Sequence, residues 1–170
     1  MDGAMPIWLP AGLPESNLVC LDLADDVLRV MMHSLTGWQQ HTLPLGAHTL
    51  TQRFFSNNPA SAYAWEMAIQ TVEDAIAPMR TLIIADAALW IRQSVFAALP
   101  GALRPEQGPA QLSLTVIEAA FKSLSATAEG LPMPRNLPTE SDFPARLLLL
   151  REWMHHMGFV NAWLPQPTLH

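Results

Sequence analysis

Residues 17–33 alternate apolar and polar positions at the period of a β-strand. Val19, Leu21 and Leu23 share one face, and Val27-Leu28-Arg29-Val30-Met31 resumes after Ala24-Asp25-Asp26. Two aspartates between apolar runs predict a turn or bulge there. Leu35-Thr36-Gly37 predicts a second turn and residues 38–45 another strand, with Pro44 at its edge or end. Residues 49–55 predict a third strand beyond the turn at Gly46, so the first third of the chain is expected to be a β-meander.

The period then changes. Ala62, Trp65, Ile69, Val72 and Ile76 follow the spacing of one helix face, with Asn58-Pro59 as the expected cap and first turn and Pro78 as the stop. Residues 81–85 predict a short buried strand, with Asp86 capping a helix that runs to about residue 99; one long helix from Arg80 is the competing reading. Residues 100–111 predict a loop. Thr115-Val116-Ile117-Glu118 matches a capping box for a helix carrying Ile117, Phe121, Leu124 and Ala128, closed by Gly130. A proline-rich connector follows. Ser141 is then the expected cap of a last helix, with Asp142 in its first turn and Phe143, Leu147, Leu150, Met154 and Met157 on one face. Leu148 and Trp153 widen that surface, Gly158 ends the helix, and residues 159–164 predict a terminal strand.

The fold class expected from these elements is α+β: a small, largely antiparallel N-terminal sheet at about 17–56 packed against three to four helices at about 58–158, with a C-terminal strand. Residues 1–16, with Pro6, Pro10 and Pro14, read as an apolar arm ahead of a single domain spanning 17–170.

Composition adds an expectation about association. Only 14% of the residues are charged and six are tryptophan, against about 25% charged in an ordinary soluble domain. Surplus apolar surface predicts a homodimer or a protein partner. Lys122 is the lone lysine and the net charge is −6, so phosphate neutralisation along a nucleic acid is not expected. No apolar run approaches the roughly 20 residues of a spanning helix and no basic leader is present, so the expected location is cytoplasmic, away from membranes.

Candidate chemistry is sparse. Cys20, the single cysteine, sits in the apolar run Leu18-Val19-Cys20-Leu21 and reads as a small core residue. Glu152 stands four residues before His156 and three before His155, which allows a carboxylate–histidine half-site for a metal, completed from His33, His41 or His48. Donor groups in a last helical turn equally complement the helix dipole. Trp153, Met154, His155 and Met157 read as an interface or binding surface. Asp22, Asp25 and Asp26 form the carboxylate cluster of the sheet region, and Asp86 is placed where a strand is expected to meet a helix. No glycine-rich phosphate loop, nucleophile elbow or cofactor motif occurs.

The outline of an apolar strand, Asp22-Leu23-Ala24-Asp25, and a second apolar strand resembles the phosphate-binding hairpin of actin-like ATPases and exopolyphosphatases. That hairpin carries glycine where the backbone nears phosphate, and here Ala24 and Asp25 stand instead. The chain is also short for a two-lobed fold, and the sequence is not assigned to that family. The function expected from sequence is therefore a non-catalytic accessory or interaction protein working through its Trp/Met-rich surface. The alternatives are a small hydrolase or metal-dependent enzyme drawing on Asp22, Asp86, Glu152, His155 and His156, and a small-ligand sensor. No cofactor is expected.

Overall fold

The computed structural model describes residues 4–13 and 17–166. Strands β1 (Leu18–Leu23), β2 (Leu28–Ser34) and β3 (Gly37–Leu43) form the expected antiparallel meander. The expected third strand at 49–55 is instead helix α1 (Ala47–Phe54). Ala47 and Leu50, three apart at helical spacing, are the positions that reach the core.

Helix α2 (Ala62–Ile76) forms over the expected stripe but starts about three residues later than expected, and it buries Trp65, Ala68, Val72 and Ile76 while Ala62 is exposed. Its cap is Ser61, whose hydroxyl accepts from the Ala64 N–H, rather than Asn58. Pro78 diverts the chain into a 3₁₀ turn, Ala77–Thr81. The expected strand at 81–85 does not form, and Leu82 and Ile84 are exposed. Asp86 caps no helix; it takes a positive φ of 61° in the turn that leads into β4 (Ala88–Ile91), a conformation aspartate tolerates better than most residues. Beyond β4 only a 3₁₀ segment, Ser94–Ala98, replaces the expected helix.

The expected loop at 100–111 ends in β5 (Ala110–Ser113). Helix α3 (Leu114–Ser125) is capped by Ser113, two residues before the expected cap. Helix α4 (Phe143–Met157) starts behind Asp142, which spends its carboxylate on Arg146 rather than on its own helix end. Gly158 closes α4 in the left-handed conformation, as expected, and β6 (Asn161–Leu164) follows.

These strands form one six-stranded sheet in the order β3-β2-β1-β4-β6-β5. The three central strands run parallel, β1 beside β4 and β4 beside β6, and β5 is antiparallel to β6. The expected small antiparallel sheet is thus corrected to a larger mixed one. Half its strands come from the second half of the chain, where four-residue strands leave no readable period.

One face of the sheet carries the main core. Leu21, Leu23, Val30, Leu89, Ile91 and Leu112 meet side chains from all four helices there. Helix α4 is apolar nearly all round: Leu147 through Leu150, Trp153 and Met154 are all inaccessible, the mark of a helix enclosed by protein. The opposite face, with Leu18, Cys20, Trp38 and Trp90, is covered by the arm residues Met5, Trp8, Leu9 and Leu13. Pro14 and the rest of the expected arm through residue 16 lie outside the described residues. A sheet covered on both faces and an enclosed helix absorb much of the apolar surplus within the chain itself.

Candidate functional site

Parallel neighbours β1 and β4 end side by side, and polar side chains gather at that carboxyl edge. Asp22, the fifth residue of β1, is 4% exposed. Its Oδ2 accepts from Arg29 Nη1 at 3.1 Å and Arg92 Nη1 at 2.8 Å, and its Oδ1 accepts from Gln93 Nε2 at 2.7 Å. Gln93 Oε1 in turn accepts the Leu23 N–H at 2.9 Å. Three donors hold this carboxylate, so it fixes Arg92 and Gln93 in place and has little capacity left to act as a base. The Arg92 side chain is half exposed, and Arg92 lines a cleft of about 460 Å³ together with Gln93, Ser94, Glu140, Asp142, Phe143 and Arg146.

The β1–β2 turn forms a neighbouring wall. Its Ala24 and Asp25 carbonyls accept the Ala47 and His48 N–H groups at 3.0 and 2.9 Å, so the first amides of α1 are spent on protein. Arg146 donates to the Leu23 carbonyl, to Asp25 Oδ1 and to Asp142 Oδ2, tying the turn to the start of α4. Glu140 is exposed at the mouth.

The sequence candidates do not converge on this cleft. Asp22 is there, with Asp25 in the turn beside it. Asp86 precedes β4 and so lies at the opposite, amino edge of the sheet, in a second depression with Arg80 and Met157. Glu152 and His156 meet near the far end of α4, with Nε2 at 3.2 Å from Oε2, and Glu73 of α2 joins them. His155 points to solvent. His33 packs at a tilt against Trp38 on the meander, and His33, His41 and His48, on β2, β3 and α1, do not join the Glu73, Glu152 and His156 group. Arg92, Gln93, Glu140 and Arg146 were missed as site residues. A polar pair directly after the apolar Leu89-Trp90-Ile91 was the available signal, masked by the expectation of a helix there.

Cys20 is fully buried, and burial pushes its thiol up to about 12. A thiol held protonated is a poor nucleophile. The folded protein should therefore resist iodoacetamide at pH 8 and react once unfolded in urea; rapid labelling of the folded form would contradict this burial.

No family model and no curated protein sequence matches this chain. Solved structures do. The chain is similar to the Ppx-GppA enzyme of Aquifex aeolicus, with a TM-score of 0.67 and 11% identity over 89% of this chain and 54% of that one. It is similar to an exopolyphosphatase from Cytophaga hutchinsonii, at 0.66 and 14% over 90% and 55%. An exopolyphosphatase-like protein matches at 0.63 and 10% over 88% and 52%. This chain thus spans about half the length of each. These findings overturn the accessory-protein expectation: proteins of this fold carry enzyme names, and Trp153 and Met154, half of the supposed interaction surface, are inside the core. Among the described residues no helix is long and apolar enough to cross a membrane. At such low identity the likeness establishes a shared fold: the chain is similar to Ppx/GppA-type structures over about half of their length.

Proposed function

We propose that this chain is a hydrolase lobe acting on phosphoric anhydrides or esters in the cleft at the carboxyl ends of β1 and β4. The observation that carries this reading is Arg92, bonded to Asp22 through Nη1 and lining the cleft. Carboxyl ends of parallel strands are where open sheets of this kind bind ligands, and the fold's likeness to exopolyphosphatases supports a phosphoryl group as the ligand.

Arg92 binds the phosphoryl oxygens and neutralises the charge that grows on them as the bridging P–O bond breaks. Glu140 takes the proton of the attacking water as its oxygen bonds to phosphorus. The departing phosphate takes its proton from solvent. Asp22 and Gln93 are positioning residues that set the direction of Arg92. A second surface closing the open cleft would exclude water from the reaction, and a second copy of this chain is the proposed source.

Release of inorganic phosphate from long-chain polyphosphate and from a nucleoside triphosphate, with magnesium present, tests this. Arg92→Ala should cut turnover about 10²- to 10³-fold and Glu140→Gln about 10²-fold or more. Both side chains are solvent-accessible, so folding should survive. Specific activity should rise with protein concentration if two copies form the site. No phosphate release by the wild-type chain, or full activity in Arg92→Ala, would overturn the reading.

A further inference from the structure

A second polar cluster lies away from the cleft, toward the other end of α4. Glu152 is 0% exposed. Arg151 occupies its Oε1, while Oε2 is buried without a hydrogen-bond partner. Burial works against the Arg151 charge, but the hydrogen bond and charge of Glu152, reinforced by Glu118, hold its pKa above the ordinary value. Oε2 points toward His156 Nε2 at 3.2 Å, and the same nitrogen lies 3.1 Å from Glu73 Oε1. These three ligand atoms all fall within 4.8 Å of one another.

A single Nε2 proton can be donated along one direction. Glu73 receives it in hydrogen-bond geometry, and Glu152 Oε2 is left unsatisfied. A buried carboxylate oxygen with no donor is costly. A divalent cation in place of that proton would satisfy both carboxylates and the imidazole together. At zinc–ligand bonds of about 2.0–2.1 Å, the edges of a tetrahedron are about 3.3 Å, close to the two short separations found here.

We propose that Glu73, Glu152 and His156 form a binding site for a first-row divalent metal, with zinc as the best match to a tetrahedral nitrogen–oxygen set. The site is independent of the hydrolase reading: His156 lies ten residues beyond Arg146 on α4, roughly 15 Å along the helix. Three protein ligands leave a fourth position open. Glu73 and His156 are partly exposed and supply the route in. The site pins α2 to α4. Of the sequence candidates, Glu152 and His156 take part, and Glu73 supplies the further ligand that was expected from His33, His41 or His48.

Arg80 is the built-in competitor. Its Nη2 lies 3.1 Å from His156 Nδ1. A guanidinium only donates, so this contact requires Nδ1 to be bare and places the proton on Nε2. Metal on Nε2 shifts the proton to Nδ1 and turns Arg80 away. Removing Arg80 should therefore tighten binding.

Zinc chloride titrated calorimetrically into the chelator-treated full chain tests the proposal. One saturable site per chain is expected. Glu73→Gln and His156→Gln should each weaken it at least tenfold, and Arg80→Ala should strengthen it several-fold. Cobalt should give the intense visible absorption of a tetrahedral site, lost in His156→Gln. Circular dichroism verifies folding, and the partly exposed Glu73 provides the second variant should His156→Gln unfold. Absence of saturable binding, or binding unchanged in Glu73→Gln and His156→Gln, would overturn the site.

Discussion

Trp153→Ala should cost about 3–5 kcal/mol, the range for truncating a large buried aromatic. Trp153 is 0% exposed and sits on α4 inside the main core. Alanine would leave a cavity on the helix that contacts α1, α2 and α3, where surrounding elements hold one another and cannot collapse far. Trp153→Phe separates packing from polarity. The indole Nε1 is buried without a partner, and phenylalanine removes that orphan donor while keeping most of the volume. Its cost should stay within about 1.5 kcal/mol. Urea unfolding of the two variants reads both effects. An alanine variant as stable as the wild type, accompanied by a change in oligomeric state, would return Trp153 to the interface that its sequence neighbourhood suggested.

That contrast shows what the sequence could carry. The period of α2 and the position of Gly158 were legible because each is a local property: a repeat over fifteen residues, and a glycine where a helix must end. Which face of α4 meets solvent is not local. Leu147 to Leu150 give no polar stripe, and the chain reads as a core helix, an interface helix or one that serves both. The contacts with three other helices decide it. Strand β4 was lost for a related reason. Its four residues carry no period, while Leu82-Ile83-Ile84 looks more strand-like yet lies partly exposed beyond a proline-initiated 3₁₀ turn.

The cleft failed to emerge from sequence as a consequence. A helix over 86–99 gives Arg92 and Gln93 no reason to stand beside Asp22. Once Ile91 ends a strand parallel to β1, they stand about 70 residues from Asp22 in sequence and within hydrogen-bond distance in space. Asp22 itself was visible as part of an acidic cluster. Its three donors were not, and they change its role from a free carboxylate to the anchor of Arg92.

Gly46→Ala is expected to have the other large effect. Gly46 has φ −99°, a conformation open to any residue, so no backbone strain is involved. The constraint is space. A Cβ there would lie 2.0 Å from the Asp25 carbonyl oxygen and 2.4 Å from Asp26 backbone atoms. Backbone cannot rotate aside as a side chain can, and the Asp25 carbonyl is held by the His48 N–H. Alanine must therefore push the β1–β2 turn off the start of α1, at about 3 kcal/mol or more, the upper end of overpacking costs. Gly37→Ala is the control. That glycine has φ +102°, and a methyl group added to it would meet nothing within 4 Å, so the variant should lose only the roughly 1–2 kcal/mol of left-handed strain. Displacing the turn also pulls on Arg146, which bonds Leu23 and Asp25, and so on the wall of the cleft. Thermal unfolding should rank Gly46→Ala well below Gly37→Ala, and phosphate release should fall in Gly46→Ala even at temperatures where it stays folded. Equal stability of the two variants would show that the turn can leave α1 freely and that the close approach at Gly46 is not a constraint on the fold.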